Sequence, residues 1–107
     1  YKGAIADYTK AIELKPKYAV TYYKRGAAKD RLKDYYGSIA DYSKAIELDP
    51  DDATPYYNRG TAKNNIADYE GAMADLTKAV ELLPNFGDSH SVSSLYSSLG
   101  IAIAMTY

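Results

Sequence analysis

The chain has 107 residues, with 13 lysines and arginines against 14 aspartates and glutamates, no cysteine, and 13 tyrosines beside no tryptophan. That length fits one domain of ordinary size, and the balanced charge offers no basic stripe of the kind nucleic acid demands. The absence of cysteine excludes disulfides and thiolate metal sites, and no apolar run reaches the roughly 20 residues that span a bilayer.

In chain order, the first element is a phrase. "IADYTKAIELKP" begins at Ile5, "IADYSKAIELDP" at Ile39 and "MADLTKAVELLP" at Met73, each 34 residues after the last. Pro16, Pro50 and Pro84 keep this frame, as do Arg25 with Arg59 and Gly26 with Gly60. Half the positions of residues 19–52 recur in 53–86 without a gap. Self-similarity at such a period marks an array of small structural units. Residues 1–18 supply the second helix of a truncated unit, and its stripe Ile5, Tyr8, Ile12 lacks a covering helix. The start at Tyr1 rather than Met suggests a fragment or a processed chain. No secretory signal opens it, which leaves the compartment open with the cytoplasm as the default.

Residues 19–52 read as a helix pair. Tyr22, Gly26, Ala28 and Leu32 fall on one face at helical spacing. Asp34 is placed to cap a second helix, whose buried stripe is Ile39, Tyr42, Ala45 and Ile46. That helix must stop before Pro50, with Asp51 and Asp52 in the turn. Residues 53–86 repeat the scheme, with Pro55 in the first turn where a missing N–H costs nothing. Connections of two to five residues force antiparallel neighbours. Gly26 and Gly60 lie mid-helix at about 1 kcal/mol each, which points to close approach of a neighbouring helix; Gly3, Gly37 and Gly71 recur near the start of the second helices and invite the same reading.

These residues resemble the tetratricopeptide repeat (TPR) family. Its aromatic and glycine slots hold Tyr22 with Gly26 and Tyr56 with Gly60. In the second helices the small slot holds Ala4, Ser38 and Ala72, the aromatic slot Tyr8, Tyr42 and Leu76, and the last small slot Ala11, Ala45 and Ala79. The resemblance covers residues 1–86 and implies an all-α α-solenoid of antiparallel helix pairs, a right-handed superhelix of about six helices in one domain. Two departures repeat: Arg25 and Arg59 replace the usual leucine, and Lys29 and Lys63 the usual tyrosine. Each arginine is predicted to lay its stem on the helix interface and reach one of the recurring aspartates Asp7, Asp41 and Asp75.

Beyond residue 86 the frame slips. Ser94 stands where glycine is due, and the pattern returns six residues late as Tyr96-x2-Leu99-Gly100-x2-Ile103. Residues 87–92 are read as a lengthened connection, and 93–107 as a terminal first-type or capping helix.

The resemblance implies a concave groove, lined by the first helices, that binds a peptide or protein segment. Consecutive helical residues point about 100° apart. With Tyr22 and Tyr56 inward, the groove face holds Val20, Tyr23, Lys24, Ala27, Asp30 and Arg31, then Thr54, Tyr57, Asn58, Thr61, Asn64 and Asn65. Tyrosines bury area with few torsions, and asparagine amides pair with peptide backbone. Some members clamp the acidic C-terminus of heat-shock chaperones with lysines, asparagines and an arginine. Here Tyr23 and Ala27 fill the first lysine and asparagine slots, Asn58 alone matches, and 93–107 has no basic residue, so this clamp is not expected. Nor is catalysis: His90, beside Ser89 and Ser91 and two residues from Asp88, is the only histidine and makes no triad or metal spacing. No cofactor, nucleic acid or membrane is implied. Three readings follow: a non-catalytic interaction scaffold; a self-assembly module stacking Ile5, Tyr8 and Ile12 against Tyr96, Leu99 and Ile103 of the next copy; and a regulatory segment of a larger enzyme.

Overall fold

A computed structural model describes residues 2–82. Within them lie five α-helices and no strand: α1 (Lys2–Leu14), α2 (Ala19–Arg31), α3 (Tyr35–Leu48), α4 (Ala53–Asn65) and α5 (Tyr69–Glu81). Each helix touches its neighbours in sequence, and α2 also touches α4. This is the all-α solenoid, in which stability accumulates from contacts between adjacent units. The expected sixth helix, the 87–92 connection, and Tyr96, Leu99, Ile103 and His90 lie outside the described residues.

Local chemistry sets the helix ends. After α2 the chain turns through Lys33 at φ 63°, and after α4 through Ala67 at φ 64°. Both are left-handed conformations that normally favour glycine. The Asp34 amide donates to the Lys29 carbonyl at 2.9 Å, and Asp68 to Lys63 at 2.9 Å, closing the last turn of each first helix. The Asp34 and Asp68 side chains then accept from the amides of Gly37 and Gly71, each at 3.1 Å, while Asp52 caps α4 by accepting from Thr54 at 3.1 Å. These caps satisfy amides that a helix N-terminus otherwise leaves open.

The glycines therefore divide by purpose. A Cβ at Gly26 would lie 2.9 Å from the Tyr42 ring, and one at Gly60 2.9 Å from Leu76 Cγ. Helix contact explains both, as expected. Gly37 and Gly71 need space for a different reason: their missing Cβ would strike the capping carboxylates of Asp34 and Asp68, not a neighbouring helix. Gly3 has nothing within 4 Å.

The core runs between paired helices. Ala45, Ala62, Ala72, Leu76 and Ala79 are wholly buried, Tyr42 nearly so, and Tyr22, Ala28 and Ile46 are buried beside them. Small residues at most of these positions let helix backbones approach closely, and Tyr42 and Leu76 fill the space that remains. Ile39 is half-buried, and Leu32 departs from its expected face: it forms the C-cap of α2 and is 41% exposed. The stripe Ile5, Tyr8, Ile12 is half-buried rather than bare, since α2 lies along α1. No residue of α1 is fully buried.

Candidate functional site

The first-helix side chains are held in place from behind. Arg25 donates from Nε and Nη2 to the two carboxylate oxygens of Asp41, at 2.8 and 2.7 Å, and from Nη1 to Thr9 Oγ1 at 3.3 Å. Lys29 Nζ adds a second cation, 3.1 Å from Asp41 Oδ2. One unit later, Arg59 repeats the fork on Asp75 at 2.8 and 2.6 Å and reaches Ser43 Oγ at 3.1 Å, with Lys63 at 3.0 Å. Each arginine thus ties three helices: its own, the partner in its pair, and the second helix of the unit before. Asp41 and Asp75 are each 4% exposed, so these forks compensate carboxylates taken out of water. The guanidinium carbons sit 5.9 Å from the Tyr22 ring centroid and 5.7 Å from that of Tyr56. The predicted arginine–aspartate pairing holds for Asp41 and Asp75. Asp7 is exposed and meets no arginine among the described residues. The two lysines and the Thr9 and Ser43 hydroxyls were missed from sequence, although all four recur in the 34-residue frame.

Of the predicted groove residues, Tyr23 and Asn58 meet directly: Asn58 Nδ2 donates to Tyr23 Oη at 3.0 Å across α2 and α4. Val20, Lys24, Arg31, Thr54 and Asn65 are exposed. Thr61 donates its hydroxyl to the Asn58 carbonyl at 2.9 Å. Tyr23, Lys24, Ala27, Ala28 and Arg31 of α2 line a cleft of about 410 Å³ together with Ala4 and Tyr8 of α1. Three positions turn elsewhere. Tyr57 is half-buried against the core of the last helix pair. Asp30 accepts a hydrogen bond from Tyr42 Oη at 3.4 Å, which places it against α3. Asn64, its counterpart by the 34-residue frame, has a buried carbonyl oxygen with no donor among the described residues. In the 34-residue frame Leu76 stands where Tyr42 supplies the hydroxyl one unit earlier.

Burial pushes the Asp30 carboxyl above its ordinary value, opposed by the Tyr42 hydrogen bond and by Arg31. Burial and then the Asp30 charge raise Tyr42 well beyond the usual phenol range, so its proton stays on. The hydrogen bond to Asp41 holds Arg25 charged.

The helix pairs, the 34-residue frame and the family's slots now coincide: the TPR repeat model matches residues 1–33 and 31–64, and the tetratricopeptide repeat model residues 53–86. The chain belongs to the tetratricopeptide repeat family. It is similar to the TPR domain of Arabidopsis OM64, at 28% identity and a TM-score of 0.81, over 92% of this chain and 76% of that one. It is also similar to the TPR2B domain of yeast Sti1 in its pHsp70 complex, at 29% identity and a TM-score of 0.81, over 90% of this chain and 79% of that one. The Yersinia enterocolitica type III secretion chaperone SycD, in complex with a peptide of the translocator YopD, shares the TPR fold at a TM-score of 0.92 and 18% identity, over 100% of this chain and 82% of its own. Comparison with curated proteins gave no match. Among the described residues no TPR helix is long and apolar enough to cross a membrane, and no cluster of His, Cys, Asp or Glu could hold a metal ion.

Proposed function

We propose that this TPR domain is a non-catalytic protein-interaction scaffold that holds a peptide or protein segment against the face formed by α2 and α4. The observation that carries this reading is the Tyr23–Asn58 hydrogen bond, which joins the two first helices into one surface. Around it stand a 59% exposed Val20 and the exposed Lys24 and Asn65. An apolar residue, a cation and an amide on one rigid face suit a ligand that presents backbone groups and a few anchoring side chains. The similar TPR2B domain of Sti1, solved in a pHsp70 complex, supports the general role. It does not extend to the acidic chaperone clamp, because Asn58 alone matches, Tyr23 and Ala27 stand in the lysine and asparagine slots, and residues 93–107 carry no basic side chain.

The test begins with peptides selected from a displayed library on the wild-type chain. Their affinity is then measured by fluorescence anisotropy against Val20→Ala/Tyr23→Ala, and against Lys24→Glu/Asn65→Asp, whose positions are exposed and should leave folding intact. Each pair should weaken binding by about tenfold or more. Unchanged affinity in both removes this face from the argument. Micromolar binding of an acidic C-terminal peptide would bring the clamp back.

A further inference from the structure

Helices that alternate in direction bring two turns to one end of the stack: Lys15-Pro16-Lys17-Tyr18 between α1 and α2, and Asp49-Pro50-Asp51-Asp52 between α3 and α4. Every residue of both turns is exposed. Helix α4 touches both α2 and α3, so the two turns are neighbours on that end. They occupy the same place in the 34-residue frame, yet one carries only cations and the other only carboxylates. The acids behind them differ: Glu13 is exposed on α1, whereas Glu47 on α3 lies 3.4 Å from Lys44.

Local helix stability does not account for this segregation. A helix C-terminus favours a cation and an N-terminus an anion. Each turn joins a C-terminus to an N-terminus, so helix stability alone would place a cation first and an acid second in both. Lys15 and Asp51 follow that order. Asp49, the C-cap of α3, and Lys17, just before α2, reverse it. Tyr18 stands at the N-cap of α2 with no side-chain hydrogen bond, where its counterpart Asp52 caps α4 by accepting from the Thr54 amide. Aspartate is a preferred N-cap, but at this position it would bring a negative charge into the cationic turn. Three positions thus set local stability aside, and the result is a single sign in each turn.

Two adjacent turns of opposite sign are their own complement. Rotated about a two-fold axis passing between them, a second copy lays its carboxylate turn on the cationic one and its cationic turn on the carboxylates. We propose that this end of the stack is an interface between two copies of the chain, with Asp49 and Asp51 of each facing Lys15 and Lys17 of the other. Pro16 and Pro50 stiffen the backbone between the charges, so little freedom is lost on docking. A polyanion gains at one turn and is repelled at the other, and a polycation likewise; a partner suited to both must present the same pair reversed. None of these residues belongs to the groove face, so the contact leaves that face open.

The test is sedimentation equilibrium of the full chain. At low ionic strength the wild-type chain should form a dimer and nothing larger, with its dissociation constant raised about tenfold or more at about 0.5 M salt. Lys15→Glu/Lys17→Glu makes both turns acidic, and Asp49→Lys/Asp51→Lys makes both basic. All four positions are exposed, and circular dichroism checks that folding is kept. Each variant alone should be monomeric, an equimolar mixture of the two should form the heterodimer, and a chain carrying all four changes should dimerise again. A wild-type chain that stays monomeric up to about millimolar concentration, a dimer indifferent to salt and charge reversal, a mixture that stays monomeric, or assembly beyond the dimer each overturns the proposal; the last would instead favour head-to-tail stacking.

Discussion

At the scale of single residues, the repeating departures from the family pattern form one device. Arginine in place of leucine, and lysine in place of tyrosine, are compatible with a helix interface because an aspartate waits inside it. Removing one partner should therefore cost far more than a surface ion pair would. Arg59→Leu is expected to lower stability by about 3 kcal/mol, measured by urea denaturation, since Asp75 keeps only Lys63. Asp30 behaves differently. Its folded-state pKa is raised, mainly by burial, so the folded state binds the proton more readily than the unfolded chain. Between the ordinary carboxylate value and the raised one, stability falls as pH rises, and the loss is complete above the folded pKa. Asp30→Asn should remove that slope in a pH series of denaturation curves while costing little at pH 7. The arginine–aspartate pair was legible in sequence because both partners recur in one frame. The orphaned Asn64 was not: in the frame, the hydroxyl that Tyr42 offers Asp30 is replaced by Leu76 on a different helix.

At the scale of the helix pair, the turn chemistry is repeated even where the residues change. Lys33 and Ala67 occupy the same left-handed position, although neither is glycine. An L-residue there is strained against its own Cβ, and the strain is borne because the flanking hydrogen bonds and the Asp34 and Asp68 caps fix the turn. Ala67→Gly should therefore stabilise the chain by about 0.5–1 kcal/mol, the relief of strain exceeding the extra freedom of the unfolded glycine; thermal unfolding followed by circular dichroism would read it as a higher Tm. The caps were readable from Asp34 alone. The role of Gly37 and Gly71 was not, since a glycine near a helix start fits a close neighbour or a crowded cap equally well until the carboxylate is located.

At the scale of the whole molecule, nearest-neighbour stacking makes stability uneven. The α1 helix touches α2 alone among the described residues and has no fully buried residue, whereas α3 lies between α2 and α4 and holds five. Native-state hydrogen exchange should show α1 amides opening at a free energy well below that of α3. Equal protection in the two helices would mean that the described residues unfold as one unit.

Sequence by itself determined the family, the helix pairs, their antiparallel order and the pairing of arginine with aspartate. A period of 34 residues and the spacing of apolar positions are properties of the chain, and short connections leave adjacent helices one way to pack. Tertiary structure decided which polar residues face a ligand and which face another helix. Asp30 and Tyr57 lie at groove-like positions by helical spacing, yet Asp30 meets Tyr42 of the neighbouring second helix and Tyr57 packs on the core, while the Asn64 carbonyl oxygen is buried. A rotation of 100° per residue assigns a direction from the axis, but what stands in that direction depends on a helix elsewhere in the chain and on the side chain it offers: the hydroxyl of Tyr42 in one unit, the bare Leu76 in the next.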